Sequence, residues 1–207
     1  MIVNTSSLRV ALRAVLPHVS TDEEGSLVLT SARVIANEGG VEVVATDRFT
    51  AAAATVDCPS PENLTFDLSV DQIKKVLAMF RPPKDLIESA ELDIELTDDG
   101  KSVVITDVCG MFPGDSMTLS GISAEDGFPD VRRAMASMMG SPLTSNLADV
   151  NPGFLARLKA AEAYGPLTMA HGDKAVWFVT ESFTCVIMVA RTESAGGDDE
   201  WSAKVSS

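Results

Sequence analysis

Gly114-Asp115-Ser116-Met117 has the form of a hydrolase nucleophile loop, in which a serine attacks a carbonyl once a neighbouring base takes its proton. The base is missing. Neither His18 nor His171 lies in an Asp-x-x-His pattern, so the segment reads as a turn. Gly100-Lys101-Ser102 has the ending of a phosphate-binding loop, but Glu95 stands where that loop needs its upstream glycine. It also joins two strand-like stretches rather than a strand and a helix. Asp93 and Glu95 alternate and would share one face of a strand, as two metal ligands could. With no histidine or third carboxylate at suitable spacing they read as a solvated face. His18 follows Pro17 at a predicted helix end, where a cation suits the dipole, and reads as structural. Cys58, Cys109 and Cys185 are odd in number, far apart and without a C-x-x-C pair, which argues against a disulfide framework and a zinc site. The residues thus predict no enzyme, no cofactor and no metal.

The basic residues are the ones left with chemistry to do. The chain carries a net charge of −14, the wrong sign for a nucleic-acid binder if charge were spread evenly. It is not. Residues 7–18 carry Arg9 and Arg13 and no acid, for +2. Residues 69–84 carry Lys74, Lys75, Arg81 and Lys84 against Asp71, for +3, and residues 151–164 carry Arg157 and Lys159 against Glu162, for +1. The rest of the chain therefore totals −20. All three basic stretches have helical periodicity. Helices on one face of a sheet would present a basic surface that neutralises phosphates without reading bases, and an acidic exterior would repel DNA from the wrong side. Lys and Arg are also good helix formers, which by itself would populate exposed helix faces with them.

The elements that must position these residues occur three times in one order: strand, helix, three strands. The first copy, residues 1–60, opens with a strand at 1–5. Ser6-Ser7 is read as a cap, and Leu8, Ala11, Leu12, Val15 and Leu16 make an apolar stripe at helical spacing. Gly25 ends the connection, and strands are expected at 26–36, 41–46 and 50–56. The second copy, 61–122, starts with the alternating stretch 64–68. Ser69 caps a helix with Ile73, Val76, Leu77 and Phe80 on its core face, Pro82-Pro83 stop it, and strands follow at 92–97, 102–107 and 116–122 with a turn at Asp99-Gly100. The third begins near Leu143. Asn151 caps its helix, Pro152 takes the first position, Phe154, Leu155, Leu158 and Ala161 form the apolar side, and strands are expected at 166–171, 175–180 and 183–190. One strand recurs at the same place in each copy: Val43-Val44-Ala45-Thr46-Asp47, Val103-Val104-Ile105-Thr106-Asp107 and Trp177-Phe178-Val179-Thr180-Glu181. Glycine precedes each, which marks a repeat. Residues 123–142 read as a linker rich in Gly, Ser, Pro and Met, and 192–207 as a disordered acidic tail.

A composition of 45% hydrophobic and 22% charged residues is that of an ordinary globular chain. No apolar run approaches the ~18 residues of a membrane span, and the N-terminus lacks the features of a secretion signal. Hence a cytoplasmic location with no membrane partner is expected. The element order predicts an α+β fold, with mostly antiparallel sheets on the outside and helices on one basic face.

Four segments carry a family likeness. Ala45-Thr46-Asp47-Arg48-Phe49-Thr50-Ala51 resembles the Ala-Thr-Asp-x-x-Arg-Leu-Ala signature of the bacterial sliding clamp, the DNA polymerase III beta subunit. Asp126 through Arg133 resembles the Phe-Pro-Asp-Tyr-Arg-Arg segment that closes the clamp's middle domain. Val150-Asn151-Pro152-Gly153-Phe154-Leu155 resembles the start of the last helix, and Val186-Ile187-Met188-Val189-Ala190-Arg191 the terminal Met-Pro-x-Arg. The likeness spans residues 1–191. It implies a processivity factor that encircles duplex DNA without sequence preference and tethers a polymerase and other clamp-binding proteins, placed on DNA by a clamp loader. Arg9, Arg13, Lys74, Lys75, Arg81, Lys84, Arg157 and Lys159 would then face phosphate.

The family's peptide-docking cleft implies a second site here, formed by Thr46, Arg48, Phe49, Thr50, Ala51, Pro129, Ala134, Val186 and Met188. Thr50 stands where the family has Arg, Ala51 where it has Leu and Val189 where it has Pro, which predicts a shallower cleft. Trp201 or the acidic tail is expected to fold over it. The resemblance also implies three modules where a full clamp chain has six: a complete domain over 1–142 and a half-domain over 143–191. Four copies would restore the twelve modules of a ring; the odd half must pack on another chain or leave an exposed sheet edge, and a homo-oligomer is expected. The alternative is an adaptor or decoy that keeps the peptide cleft without forming a ring. A shortened variant of this kind suits a viral (phage) source.

Overall fold

The computed structural model describes residues 1–22, 27–59, 62–82, 84–122, 124, 127–144 and 149–189. In the first module β1 (Ile2–Asn4) leads into α1 (Thr5–Val15), then β2 (Ser31–Asn37), β3 (Gly40–Thr46) and β4 (Thr50–Val56). Asn4, not Ser6 or Ser7, caps α1. Its carboxamide oxygen accepts from the Ser7 N–H at 2.9 Å, while its NH2 donates to the carbonyls of Glu88 and Ala90. The side chain thereby fixes the helix start to the second module. Leu8, Ala11, Leu12 and Val15 are buried as the stripe predicts.

The second module runs β5 (Leu64–Ser69), α2 (Val70–Met79), β6 (Glu91–Leu96), β7 (Ser102–Asp107) and β8 (Ser116–Ser120). Ser69 and Gln72 form a reciprocal capping box, and Gly100 makes the β6–β7 turn with φ of 65°. The segment 123–142 is more than a linker: α3 (Val131–Met139) occupies its second half. The signal was Asp130 as cap followed by Val131, Met135 and Met138 at helical spacing. The third module has α4 (Pro152–Arg157), a 3-10 run over Leu158–Tyr164, β9 (Thr168–His171), β10 (Ala175–Val179) and β11 (Phe183–Met188). Asn151 and Pro152 start α4 as expected.

Modules one and two exchange their first strands. β1 pairs with β6, giving the sheet β1-β6-β7-β8, and β5 pairs with β2. The third module extends the other sheet to β5-β2-β3-β4-β11-β10-β9 through an antiparallel β4–β11 pair, Ala51 opposite Val186 and Ala53 opposite Thr184. The odd half therefore packs on its own chain, through β4. The first strand expected near Leu143 is reduced to a single bridge to Gly172. In the exchange pattern such a strand belongs in a partner module's sheet, and the described residues hold no fourth module.

One face of the long sheet supplies Val43, Ala45, Ala52, Ala54, Phe183, Cys185 and Ile187 to the main core beneath α1. The opposite face supplies Val44, Ala53, Trp177 and Val186 to a smaller core beneath Val131 and Met135 of α3. α3 thus bridges the seam between modules one and three. On the smaller sheet β6 buries Leu92 and Ile94 and turns Glu91, Asp93 and Glu95 outward, with Asp93 accepting from the N-terminal amine at 3.2 Å. No helix among the described residues is long and apolar enough to cross a membrane.

Candidate functional site

The β3–β4 connection organises the site. Asp47 Oδ1 accepts from the N–H groups of Phe49 and Thr50 at 3.0 and 2.7 Å and from the Thr50 hydroxyl at 3.1 Å, an Asx turn that fixes the loop. Closing so tight a turn puts Arg48 at φ of 76°, a left-handed conformation that a side chain bearing Cβ adopts at a cost of about 1–3 kcal/mol. The Arg48 and Phe49 side chains at this turn are both exposed.

Three further segments converge on this loop. Asp130 caps α3 through the Arg133 N–H at 2.9 Å, and Arg132 pairs with Glu42 on β3. Burial pushes the Glu42 carboxyl up, against the pull of Arg132. Arg33 holds Asp67 in a bidentate pair at 2.7 and 2.9 Å and lays its guanidinium over the Phe128 ring, 4.3 Å from the centroid. The chain is thereby pinned just before Pro129. β11 arrives by its pairing with β4.

The result is an apolar cleft of about 220 Å³ lined by Leu29, Thr46, Arg48, Phe49, Thr50, Ala51, Pro129, Val131, Ala134, Met135, Met138, Val186 and Met188. All nine cleft residues named from the sequence line it. Leu29 and the α3 side chains Val131, Met135 and Met138 are further lining residues that the short sequence patterns do not mark, the latter three because α3 lies in a stretch that reads as linker. The methionines form a wall that can adapt its shape to a ligand. Trp201 and the tail lie outside the described residues.

Beneath the cleft a buried polar network joins modules one and three. Arg157 of α4 donates to Asp47 Oδ2 and, at 2.6 Å, to the Thr50 hydroxyl. The Thr50 hydroxyl lies 3.0 Å from His18 Nδ1, and His18 Nε2 lies 4.0 Å from Cys185 Sγ. Burial pushes the Asp47 carboxyl up, but its bonds from Arg157, Thr50 and Phe49 together outweigh that and hold it low. Above the network the Phe49 ring stacks on Phe154 with centroids 6.1 Å apart, and Arg157 lies over the same ring at 4.9 Å.

Three expectations are corrected by these contacts and by those of Arg9. Arg157 does not face phosphate with a free guanidinium; it is committed to Asp47 and Thr50. Arg9 is buried, and its Nη1 donates to the carbonyls of Leu77 (2.6 Å) and Phe80, capping the end of α2. Burial first, then the nearby charges of Arg13 and Arg81, depress its pKa. His18 is not a dipole-stabilised cation but fully buried, with its pKa lowered to about 4 by burial and by Arg157.

Neither histidine bonds Ser116, whose hydroxyl meets Thr106 at 3.0 Å; His171 Nδ1 has no hydrogen-bond partner. Cys185 beside His18 is no thiolate–imidazolium pair, since burial pushes the thiol up to about 12. Among the described residues no group of three or more His, Cys, Asp or Glu could hold a metal. The other basic residues, Arg13, Lys74, Lys75, Arg81, Lys84 and Lys159, are exposed, and α1 packs against both α2 and the 3-10 run. Arg13, Lys74, Lys75 and Lys159 therefore sit on neighbouring helices.

No protein-family model matches the sequence, and no curated protein does. Solved structures match over nearly its whole length. A DNA polymerase III beta subunit from Eubacterium rectale aligns over 100% of this chain and 68% of its own at 13% identity, TM-score 0.67. The beta subunit from Thermotoga maritima covers 93% and 64% at 14% identity, TM-score 0.64. The sliding clamp from Pseudomonas aeruginosa, solved bound to griselimycin, covers 98% and 66% at 10% identity, TM-score 0.64. The chain spans about two thirds of the length of these proteins, and over that span it has the sliding-clamp fold of the DNA polymerase III beta subunits.

Proposed function

We propose that the chain is a clamp-type tether. Its cleft docks short apolar peptide segments of replication proteins, and its helical face tracks duplex DNA without reading sequence. The observation that carries this is the convergence of three separate segments, 46–51, 129–138 and 186–188, on one apolar cleft, in a chain whose exposed Arg13, Lys74 and Lys75 lie on the packed helices α1 and α2. An apolar cavity walled by methionines and rimmed by an aromatic and an arginine suits a peptide's apolar anchors.

Two substitutions separate the functions. Ala134→Glu places a charge in the cleft at an exposed position of α3, and is expected to weaken binding of a labelled clamp-binding peptide at least ~10-fold with an unchanged melting temperature. Unchanged affinity in fluorescence anisotropy would remove the cleft from the proposal. Lys74→Glu with Lys75→Glu is expected to leave peptide binding intact and to lower the salt dependence of DNA binding by about two units of slope. An unchanged slope would remove the helical face.

A second reading, an adaptor or decoy with the cleft alone, is favoured by one observation: Arg9 and Arg157 are committed to protein contacts, which leaves fewer cations for phosphate. Retention on circular but not linear DNA supports the tether as a ring. Peptide binding without any DNA retention supports the adaptor.

A further inference from the structure

The last described residues lie on the rim of the cleft. β11 ends at Met188, whose side chain lines the cavity and whose N–H donates to the Phe49 carbonyl at 2.9 Å. Val189 N–H donates in turn to the Lys174 carbonyl at 3.0 Å. Residues 190–207 lie outside the described residues, and they set out from this pinned point.

Their sequence suits the cavity they start beside. Every charge from Thr192 through Trp201 is negative: Glu193, Asp198, Asp199 and Glu200. Trp201 follows the last three directly and is the only aromatic residue after Phe183. The cleft is apolar within, and Arg48 is the one charged residue among those that line it. The Arg48 side chain is 55% exposed and lies 3.8 Å from Asp22. A pair that exposed is weak, so further carboxylates can compete for the guanidinium. An aromatic anchor preceded by carboxylates thus complements an apolar hole beside a cation.

We infer that residues 198–201 are the cleft's own ligand: Trp201 occupies the apolar cavity, Asp198, Asp199 and Glu200 face Arg48, and a partner peptide binds by displacing them. This rests on the reading of the cleft as a dock for apolar segments and adds its regulation. Trp201 follows Val189 by twelve residues, which span at most about 40 Å, so it reaches a cavity that begins at Met188. Tethering favours it over any free segment, because it acts at an effective concentration of ~1 mM. With a Kd of its own of ~0.1 mM, it holds the cleft about nine-tenths of the time and raises the apparent Kd of an outside peptide ~10-fold. A strong partner enters and a weak one is refused.

The test uses the full chain and two readouts. The emission difference between the wild type and Trp201→Ala isolates Trp201 from Trp177. Trp201 is expected to be blue-shifted, shielded from acrylamide and unchanged on dilution, and Ala134→Glu is expected to return it to the emission of an indole in water. In anisotropy, Trp201→Ala is expected to bind the labelled clamp-binding peptide ~10-fold more tightly than the wild type. A water-exposed Trp201 in the wild type overturns the inference and leaves the cleft to outside ligands. So does shielding that fades on dilution, which would mean the segment of a second copy, or shielding that Ala134→Glu leaves untouched. Equal peptide affinity in the wild type and Trp201→Ala overturns it too. A shielded Trp201 released by Ala134→Glu, in a chain whose Trp201→Ala variant binds no outside peptide, supports the inference and removes only the docking of replication proteins.

Discussion

Replacing Arg157 by glutamine is expected to destabilise the fold by about 3–5 kcal/mol, although the residue lies on a helix of only six residues. Asp47 has 11% of its side chain exposed and Arg157 24%, so water cannot replace the missing guanidinium. Loss of the partner leaves a carboxylate in the seam between two modules, with the Thr50 hydroxyl losing a donor as well. The measurement is the urea midpoint, with a double-mutant cycle against Asp47→Asn. A coupling above about 1.5 kcal/mol is expected for a pair this close. Additive effects would mean that the pair is not what joins the modules. The same variant separates the two roles considered for Arg157. Its salt dependence on DNA is expected to equal that of the wild type, whereas Lys159→Gln, an exposed position on the same helical stretch, is expected to lower it. Because the Asp47 turn also shapes the cleft, Arg157→Gln is further expected to weaken peptide binding without touching the peptide.

The second large effect is a loss of stability on mild acidification. His18 has a folded pKa of about 4 against an ordinary 6.5, because burial and the neighbouring Arg157 disfavour its cation. The unfolded chain therefore binds a proton that the folded chain refuses. The contribution of neutral His18 is fully present above pH 6.5 and is lost as pH falls through that value toward 4, roughly 3 kcal/mol in all. Asp47, whose carboxyl is held low, adds to the loss in the same direction as pH falls further. Unfolding midpoints across pH 7.5 to 4.5 are expected to fall steeply in the wild type and less so in His18→Gln, which has no group titrating there. Parallel slopes would show that His18 does not report on the buried network.

Both effects arise in a seam that residue patterns announce only in part. Leu8, Ala11, Leu12 and Val15 recur at helical spacing, so the buried stripe of α1 follows from periodicity alone. Ser69 and Asn151 each stand just before an apolar run, and both cap as local rules require. The cleft residues were legible because the segments that carry them, 46–51, 129–134 and 186–188, retain recognisable short patterns. The α3 wall was not, because a stretch rich in Gly, Ser and Met has weak local preference; its helix is secured by Val131 and Met135 packing on strands some ninety residues earlier and forty later.

By itself, then, the sequence determined the strand and helix type of most segments, since this depends on neighbours a few residues away. It also determined the three modules and the segregation of positive charge onto helical stretches, since one strand pattern recurs in each and charge can be summed segment by segment. Only the tertiary structure decided that the third module joins β4 of its own chain, that Arg9 and Arg157 are bound to protein groups, and that His18 is neutral. A charged side chain looks the same in a sequence whether water or a carboxylate solvates it. Which one does is set by desolvation and by pairing across more than a hundred residues, such as Arg157 with Asp47, and no local pattern records that distance.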